Sequence, residues 1–468
     1  MNIEIGSMIK IENYSPAILS WCEKNLIFTN PTWETLKRLG KEDSIKRKRV
    51  PEKVKNFVKS YNTLKIPFGC LYGIWDFIKN ENIKLNFNNN KDISIKNNPT
   101  PVELYDYQED AVDFMVKAKG GVLVSPCGSG KTFMGIEIIH RIGKRFLWLV
   151  HTGDLLRQTY KEMKNLYPKL DIGFITEGKV DIGRDGCIAT IQTLSNISPE
   201  IYKEEFDVVI ADECSHCVGS PTISKMFSKI LDNIPARYKY GLTATPSRAD
   251  TMINTMYTLL GMSKDGKFDS TFKVDKNKIK TIIAEHKLYT LTTTIDFNKY
   301  LDVYEPDGTI KYNNLINFLS DNEDRNKEII NNVLKCKEEG RKQVVLCHRV
   351  SHCENLYKAL DSLGLKVQLV IGKTNAKQRE KVLSQQVDWD IIISTYALLK
   401  EGVNVKELDT LHLTTPQKDK AMIVQCVGRI ERFIENKKQP IVYDYVDVNI
   451  KYCLDAYNKR KTYIKRRF

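Results

Sequence analysis

Short apolar runs alternate with stretches of helical periodicity between about residue 101 and residue 262. The runs are apolar on both faces, which is typical of strands covered by helices on each side of a sheet. Regular alternation of such strands with helices predicts an α/β fold with a parallel sheet. The strands predicted in this part of the chain are 121–125, 145–151, 187–191, 206–211 and 240–243.

A second series of the same kind extends from about residue 321 to residue 454. We interpret 101–262 and 321–454 as two tandem α/β domains. The polar region 263–320 connects them, and an alternating stretch near 279–294 suggests a hairpin within it. The strands predicted in the second series are 343–347, 367–371, 391–394, 410–413 and 441–445.

Residues 1–100 form a separate accessory unit that closes with the Asn-rich segment 86–98 and a Pro-Thr-Pro linker. The unit contains a basic cluster, 46–49, and an aromatic-rich stretch, 68–75, whose rings serve core packing or base stacking. The chain carries 72 Lys and Arg against 58 Asp and Glu, a net charge of +14. Residues 1–100 contribute +7 and the basic tail 455–468 contributes +5. Charge at the two ends favours a polyanionic partner, although a solvated Lys-rich surface gives the same count.

Composition indicates a soluble globular protein, with 42% hydrophobic and 28% charged residues. No apolar run has the length of a membrane span, and the N-terminus lacks the pattern of a secretory signal. Eleven scattered cysteines favour free thiols in a reducing compartment, so we expect a cytoplasmic protein without membrane contact. Cys214 and Cys217 form one C-x-x-C, but a zinc site needs a second pair of ligands.

A glycine-rich turn follows the first predicted strand and reads Ser-Pro-Cys-Gly-Ser-Gly-Lys-Thr over 125–132. Backbone N–H groups in such a turn cradle phosphate, Lys131 reaches the β- and γ-phosphates, and the Thr132 hydroxyl holds Mg²⁺. Ser125 stands where the general pattern has its first glycine, and an ordinary turn is the alternative. The residues predicted to surround the phosphates are Pro126, Cys127, Gly128, Ser129 and Gly130.

Two acids stand at the end of the apolar strand 206–211. Asp212 is predicted to bind Mg²⁺ through water, and Glu213 to orient and deprotonate the attacking water. A strand end capped by solvated acids is the alternative interpretation.

A Gln-x-x-x-Arg-x-x-Arg pattern occupies 425–432 near the end of the second series. On a helix, Gln425, Arg429 and Arg432 share one face, and two arginines there can stabilise charge on a transferred phosphoryl group. An exposed basic helix is the alternative.

The phosphate turn, the Asp-Glu box, Thr-Ala-Thr-Pro at 243–246 and the Gln/Arg pattern occur in the order found in superfamily 2 helicases, which the chain resembles over 101–450. The resemblance implies two tandem RecA-like domains with a small N-terminal domain, and ATP with Mg²⁺ as cofactors. The UvsW-like phage branch-migration helicases look most similar, followed by poxviral transcript-release helicases and the XPB group.

The resemblance also assigns residues outside the main motifs. Gln108 is similar to the adenine-reading residue, with Tyr105 in place of the usual arginine as a stacking surface. Gly402 falls at motif V. Two departures, Ser215 in the acidic box and Asn404 in motif V, put the coupling of hydrolysis to movement in doubt.

These features lead us to expect a DNA-stimulated ATPase that translocates on branched, forked or duplex DNA, largely independent of sequence, as a monomer or weak oligomer. An RNA or transcript-release translocase is one alternative. A clamp that binds nucleotide and nucleic acid without turnover is another. A small kinase or GTPase with a phosphate loop is a further alternative, but it does not account for the second α/β domain.

Overall fold

The computed structural model describes residues 1–87, 94–95, 103–176, 178–218, 221–246, 252–279, 286–293, 303–305, 307–402, 405–432 and 434–465. The chain forms two compact units. The first contains Met1–Pro126 and Gly130–Asp275, and the second contains Cys127–Ser129 and Lys276–Phe468. Most of the predicted linker after Phe87 and the last three residues of the predicted tail lie outside the described residues.

The N-terminal part of the first unit is a five-stranded sheet in the order β5-β6-β2-β1-β7, with a separate two-stranded ribbon, β3-β4. Side chains alternate between core and solvent along β1 and β2, so that Ile3 and Ile11 pair across the buried face. The strands are β1 Asn2–Ile5, β2 Met8–Glu12, β3 Ile27–Thr29, β4 Lys53–Lys55, β5 Val58–Lys59, β6 Thr63–Pro67 and β7 Asn82–Leu85. The helices are α1 Pro16–Asn25, α2 Pro31–Arg38, α3 Glu42–Arg47 and α4 Leu71–Ile78.

The second part of the first unit is an eight-stranded sheet in the order β11-β10-β12-β9-β13-β14-β8-β15. Its strands pair in parallel except for the short β11 at one edge. The strands are β8 Gly120–Val124, β9 Phe146–Val150, β10 Ile172–Thr176, β11 Lys179–Val180, β12 Gly186–Thr190, β13 Val208–Asp212, β14 Tyr238–Thr243 and β15 Phe272–Lys273. The helices are α5 Asp106–Ala118, α6 Lys131–Ile142, α7 Gly153–Leu166, α8 Ile191–Ser195, α9 Pro221–Leu231 and α10 Ile253–Leu260.

The five-stranded N-terminal sheet, here called the accessory sheet, and the eight-stranded sheet share one hydrophobic core. Lys239 of β14 is fully buried, and its ammonium group donates to the carbonyl oxygen of Ser7 at 3.1 Å and lies over the ring of Phe68. The Gly69 carbonyl accepts from the backbone N–H of Met262 at 2.9 Å. These contacts hold the accessory sheet against the eight-stranded sheet, which belongs to the predicted ATP-binding domain.

The second unit is a six-stranded parallel sheet in the order β16-β21-β20-β17-β19-β18, packed by helices. The strands are β16 Lys287–Thr292, β17 Gln343–Cys347, β18 Val367–Val370, β19 Ile391–Thr395, β20 Thr410–Leu413 and β21 Ile441–Val446. The helices are α11 Tyr312–Asp321, α12 Glu323–Glu338, α13 Val350–Asp361, α14 Ala376–Leu383, α15 Tyr396–Gly402, α16 Lys420–Ile430 and α17 Lys451–Lys465.

Two predictions for the second unit meet long-range contacts. The alternating stretch near 279–294 suggested a hairpin; its described strand, β16, pairs in parallel with β21, and residues 280–285 lie outside the described residues. Residues 455–465 of the predicted basic tail belong to α17, where Arg460 is fully buried and its guanidinium donates to Asp444 at 2.6 Å. Within the described residues, no helix has both the length and the apolar character needed to cross a bilayer.

Candidate functional site

The glycine-rich turn lies between the carboxyl end of β8 and the first residue of α6, Lys131. Gly128 and Gly130 have φ values of +82° and +77°, which L-residues with a side chain rarely adopt. The turn also carries Ser129, which is buried, and Cys127, whose thiol is reduced and partly exposed. Backbone N–H groups at the start of a helix attract anions, so the local fold suits a phosphate group.

Lys131 and Glu213 face each other across this turn. Lys131 Nζ lies 3.7 Å from Glu213 Oε1, and both side chains are largely buried. Glu213 has a φ of +46°, and its backbone N–H donates to Asp212 Oδ1 at 2.9 Å. Strained backbone of this kind is held by surrounding structure and is common at functional sites. The geometry brings the predicted phosphate-binding lysine and the predicted base together.

Asp212 ends β13 with its carboxyl group buried beside two charged neighbours. Burial, reinforced by the Glu213 carboxylate and opposed by the Lys131 ammonium, raises the pKa of Asp212 to about 7. A carboxylate oxygen together with the hydroxyl of Thr132, the second residue of α6, makes a hard-oxygen donor set. Such donors fit Mg²⁺, which keeps several waters and binds few protein ligands.

The acidic box is hydrogen-bonded to the Thr-Ala-Thr-Pro segment. Thr243 Oγ1 donates to Ser215 Oγ at 3.0 Å, and the backbone N–H of Thr245 donates to Thr243 Oγ1 at 3.2 Å. Ser215, which the sequence marked as a departure, therefore supplies a buried link between two motifs. The two residues after that segment, Ser247 and Arg248, and Asn404 of motif V lie outside the described residues.

Gln108 lies against the phosphate turn. A β-carbon added to Gly130 would come within 2.4 Å of Gln108 Nε2. Gln108 Oε1 accepts from the backbone N–H of Tyr105 at 3.0 Å, which closes the first turn of α5. Tyr105 is exposed and stacks on Tyr107 at 6.1 Å between ring centroids. The predicted base-reading residue Gln108 thus stands at the turn, with its amide oxygen held by the backbone of Tyr105.

Arg141 is part of the site that sequence reasoning missed. Its guanidinium donates to Glu137 at 2.9 Å on its own helix, and to Asp113 and Glu109 of α5 at 2.6 Å. The two pairs with Asp113 and Glu109 join α5 to α6. They therefore hold Gln108, one residue before Glu109, beside the phosphate turn. The i, i+4 spacing of Glu137 and Arg141 was the only available sequence signal.

The second unit contains the other predicted residues. Gln425 is buried in α16 and Arg429 is half-buried on the same helix. The helix ends at Ile430, so Arg432 does not share a helical face with Gln425 and Arg429. Glu431, the residue after the helix, is fully buried, and its carboxylate is hydrogen-bonded to His286 Nδ1 at 2.7 Å. Gly402, the motif V glycine, is the last residue of α15.

Metal binding by the C-x-x-C gains no support. Cys214 is buried, and its thiol lies 3.2 Å from the sulfur of Met256. Across the part of the chain that the structure describes, no group of three or more His, Cys, Asp or Glu side chains is arranged to hold a metal ion. Each cysteine whose side chain the structure describes is reduced.

Two protein families match the two RecA-like parts of the chain. The family described as "Type III restriction enzyme, res subunit" matches residues 101–248. The family described as "Helicase conserved C-terminal domain" matches residues 324–434. Together they cover more than half of the chain and contain all the predicted site residues.

Individual relatives agree with these matches. A putative ATP-dependent RNA helicase of Acanthamoeba polyphaga mimivirus is 27% identical over 72% of this chain and 62% of its own length. The ATP-dependent DNA helicase uvsW of Enterobacteria phage T4 is 24% identical over 74% of this chain and 69% of its own length. The chain thus spans less than two thirds of the length of the mimivirus relative. Among solved structures, Saccharomyces cerevisiae Dbp5 bound to RNA and ADP BeF3 superposes with a TM-score of 0.55 at 14% identity, covering 85% of this chain and 92% of that one. This likeness supports the two-domain RecA-like fold.

Proposed function

The chain belongs to the superfamily 2 helicases, with UvsW-like phage relatives, and we propose that it is an ATP-driven motor that remodels branched or forked DNA. The observation that carries the proposal is the Lys131–Glu213 pair, 3.7 Å apart beside a phosphate-binding turn. A phosphate-binding cation and a base at one helix N-terminus are the parts that nucleotide hydrolysis requires.

Residues 101–262 supply the groups that hold ATP. Backbone N–H groups of the turn and the Lys131 ammonium bind the phosphates. Thr132 and Asp212 would hold Mg²⁺, which would supply positive charge to offset the charge that develops on the phosphate oxygens. Glu213 Oε1 orients the attacking water and accepts its proton. Gln108 Nε2 contacts the base, while Oε1 stays with Tyr105.

The second unit supplies further positive charge for the γ-phosphate. We assign Gln425, Arg429 and Arg432 to the γ-phosphate, as the resemblance implies. The Glu431–His286 hydrogen bond fixes the backbone between the two arginines and thereby limits the positions that Arg432 can reach. Arg432 lies beyond the helix, so its placement depends on this contact and on the chain that follows.

A nucleic acid is the proposed partner because residues 1–100 carry +7 of the net charge of +14, and DNA is proposed on the name of one relative. The phage T4 relative, which matches 74% of this chain, is named as a DNA helicase. An RNA translocase is the second candidate, favoured by the name of the mimivirus relative. Backbone contacts by Lys and Arg do not by themselves separate the two.

The test is the rate of phosphate release from ATP with single-stranded, duplex, forked and four-way DNA, and with RNA forks of the same sequence. The proposal predicts the highest turnover with forked or four-way DNA. Highest turnover with RNA would favour the second candidate. No phosphate release under any condition, despite ATP binding, would identify a clamp instead of a motor.

A further inference from the structure

Most of the positive charge of the accessory unit, residues 1–100, lies in one short segment, 37–65. It contains eleven Lys and Arg against three Asp and Glu, a net charge of +8 out of +14 for the chain. All eleven basic side chains are exposed. Within the described residues, none of the eleven forms an ion pair, whereas Lys10 and Lys79 nearby are paired with Glu12 and Asp76. An excess of basic side chains that form no ion pairs favours a polyanionic partner.

The segment is anchored at its base. Asn30 is buried, and its side-chain amide donates to the Pro51 carbonyl at 2.9 Å, across the β3-β4 ribbon. Asn56, just after β4, donates to Thr258 of α10, and Phe28 of β3 packs edge-on against Phe268 at 6.2 Å. These contacts connect the segment to the sheet that carries the phosphate turn.

Above this base the segment buries little. Neither α2 nor α3 contains a buried side chain. The basic cluster 46–49 covers the end of α3 and the turn after it, and all four of its side chains are exposed. Helices that bury no side chain contribute little to core stability, so their exposed charge is available for binding.

One aromatic ring projects from the same segment. Tyr61 stands at the tip of the β5-β6 hairpin and is fully exposed. The tip is held by hydrogen bonds from Ser60 N–H to the Thr63 carbonyl and from Asn13 N–H to the Asn62 carbonyl, both at 2.8 Å. Phe57, the other ring of the segment, is half-buried, and so is Trp33 before it, which has the Lys37 ammonium over its ring at 4.5 Å. Tyr61 is therefore the exposed ring of this segment.

This combination fits one form of nucleic acid. Proteins that bind single strands stack several successive bases on several rings in a groove. A single exposed ring among many cations instead suits a duplex, held by its phosphates, whose terminal base pair presents one open stacking face. A fork offers both features, because its duplex arm ends at the point where the strands separate.

We infer that segment 37–65 binds the duplex arm of a forked nucleic acid through its phosphates, and that Tyr61 stacks on the base pair at the fork. The inference rests on the proposed function, since a motor that remodels forks must hold the arm. It adds the surface, the form of substrate and the residue at the strand junction.

The experiment measures fork binding by fluorescence anisotropy without nucleotide, over a series of salt concentrations. The first variant is Lys46→Gln/Arg47→Gln/Lys48→Gln/Arg49→Gln. Its matched control replaces four exposed lysines at or near helices of the eight-stranded sheet: Lys117→Gln, Lys119→Gln, Lys161→Gln and Lys169→Gln. The dependence of log affinity on log salt should become shallower by about one for each phosphate contact that the substitutions remove, and only in the first variant.

Tyr61→Ala tests the stacking contact. It should weaken fork binding about tenfold, while Tyr61→Phe, which keeps the ring, should bind as wild type does. A duplex closed by loops at both ends exposes no terminal pair, so its affinity should not change. DNA and RNA forks are compared in parallel, and the tighter one identifies the source of the phosphates.

An unchanged salt dependence in the quadruple variant would overturn the inference, as would an equal loss on fork and closed duplex in Tyr61→Ala. Both variants alter exposed side chains, and unchanged thermal unfolding confirms their folding. Turnover of the wild type that no nucleic acid stimulates would contradict the proposed function. Stimulated turnover with normal fork binding by the variants would contradict only the inference.

Discussion

Thr243 Oγ1 donates a hydrogen bond to Ser215 Oγ at 3.0 Å, and both residues are buried. The bond joins the strand end that carries Asp212 and Glu213 to the segment after β14. A hydroxyl-to-hydroxyl link therefore occupies the box position where the family often has histidine. It gives the site a physical route by which a change near Glu213 can reach the Thr-Ala-Thr-Pro segment.

Ser215→Ala should reduce the stimulation of ATP turnover by forked DNA about fivefold, because a buried hydrogen bond contributes about 1 kcal/mol. Turnover without DNA should change little, since Lys131 and Glu213 remain in place. The measurement is the ratio of phosphate release with and without fork. Ser320→Ala, which removes a buried hydroxyl bonded to its own helix at 2.7 Å, is the control. Equal ratios in all three proteins would contradict the coupling role.

Gly130→Ala should raise the KM for ATP at least about tenfold, because a β-carbon there both clashes with Gln108 and strains a left-handed backbone. Gly178→Ala is the control for a left-handed glycine replaced outside the turn. Gly178 has a φ of +81° with open space around it, so the substitution adds backbone strain without a clash. Gly178→Ala should leave ATP kinetics unchanged, and the same rise in KM in both variants would show that the effect does not arise in the phosphate turn.

Arg141→Met should raise the KM for ATP several-fold with little change in kcat, because it frees α5 and Gln108 to move relative to the phosphate turn. It should also destabilise the protein by about 2 kcal/mol, since the buried Glu137 carboxylate loses its partner. The measurements are steady-state kinetics and thermal unfolding. Lys366→Met, which breaks an exposed ion pair with Asp388, should alter neither. A fall in kcat alone would point to a different role for Arg141.

Acid should destabilise the second unit. Burial is the main cause that lowers the pKa of His348 to about 4 and of His412 to about 3. His412 contacts Tyr445 and Gln343 through its two nitrogens, so the fold holds it neutral. The unfolded chain takes up protons below about pH 6.5, so the free energy of unfolding should fall as pH decreases from there towards 4.

The slope should approach about 2.7 kcal/mol per pH unit for two protons. Urea unfolding of the full chain at several pH values measures it. His412→Gln should roughly halve the slope, whereas a slope unchanged by that variant would assign the acid sensitivity to other groups.

The sequence predicted the central strands well. The predictions for 343–347 and 410–413 match β17 and β20 residue for residue. These strands are covered on both faces, so the apolar run and the strand have the same ends. The pairing of β16 was not predicted, because its partner β21 follows about 150 residues later and local patterns carry no information on that pairing.

Long-range contacts also limited the prediction of the site. The motif residues Lys131 and Glu213 were identified by residue type and spacing, and the structure brings them together. At the end of α16, Glu431 is hydrogen-bonded to His286, and the two residues are far apart in sequence. Neither helix propensity nor periodicity indicates such a contact.

The central claim is that Glu213 activates the water that hydrolyses ATP, in a reaction that nucleic acid stimulates. The most direct test compares fork-stimulated phosphate release by wild type, Glu213→Gln and the exposed-acid control Glu200→Gln. The account predicts that Glu213→Gln binds ATP but hydrolyses it at least about a hundredfold more slowly, with the control unchanged. Turnover by Glu213→Gln at the wild-type rate would contradict it.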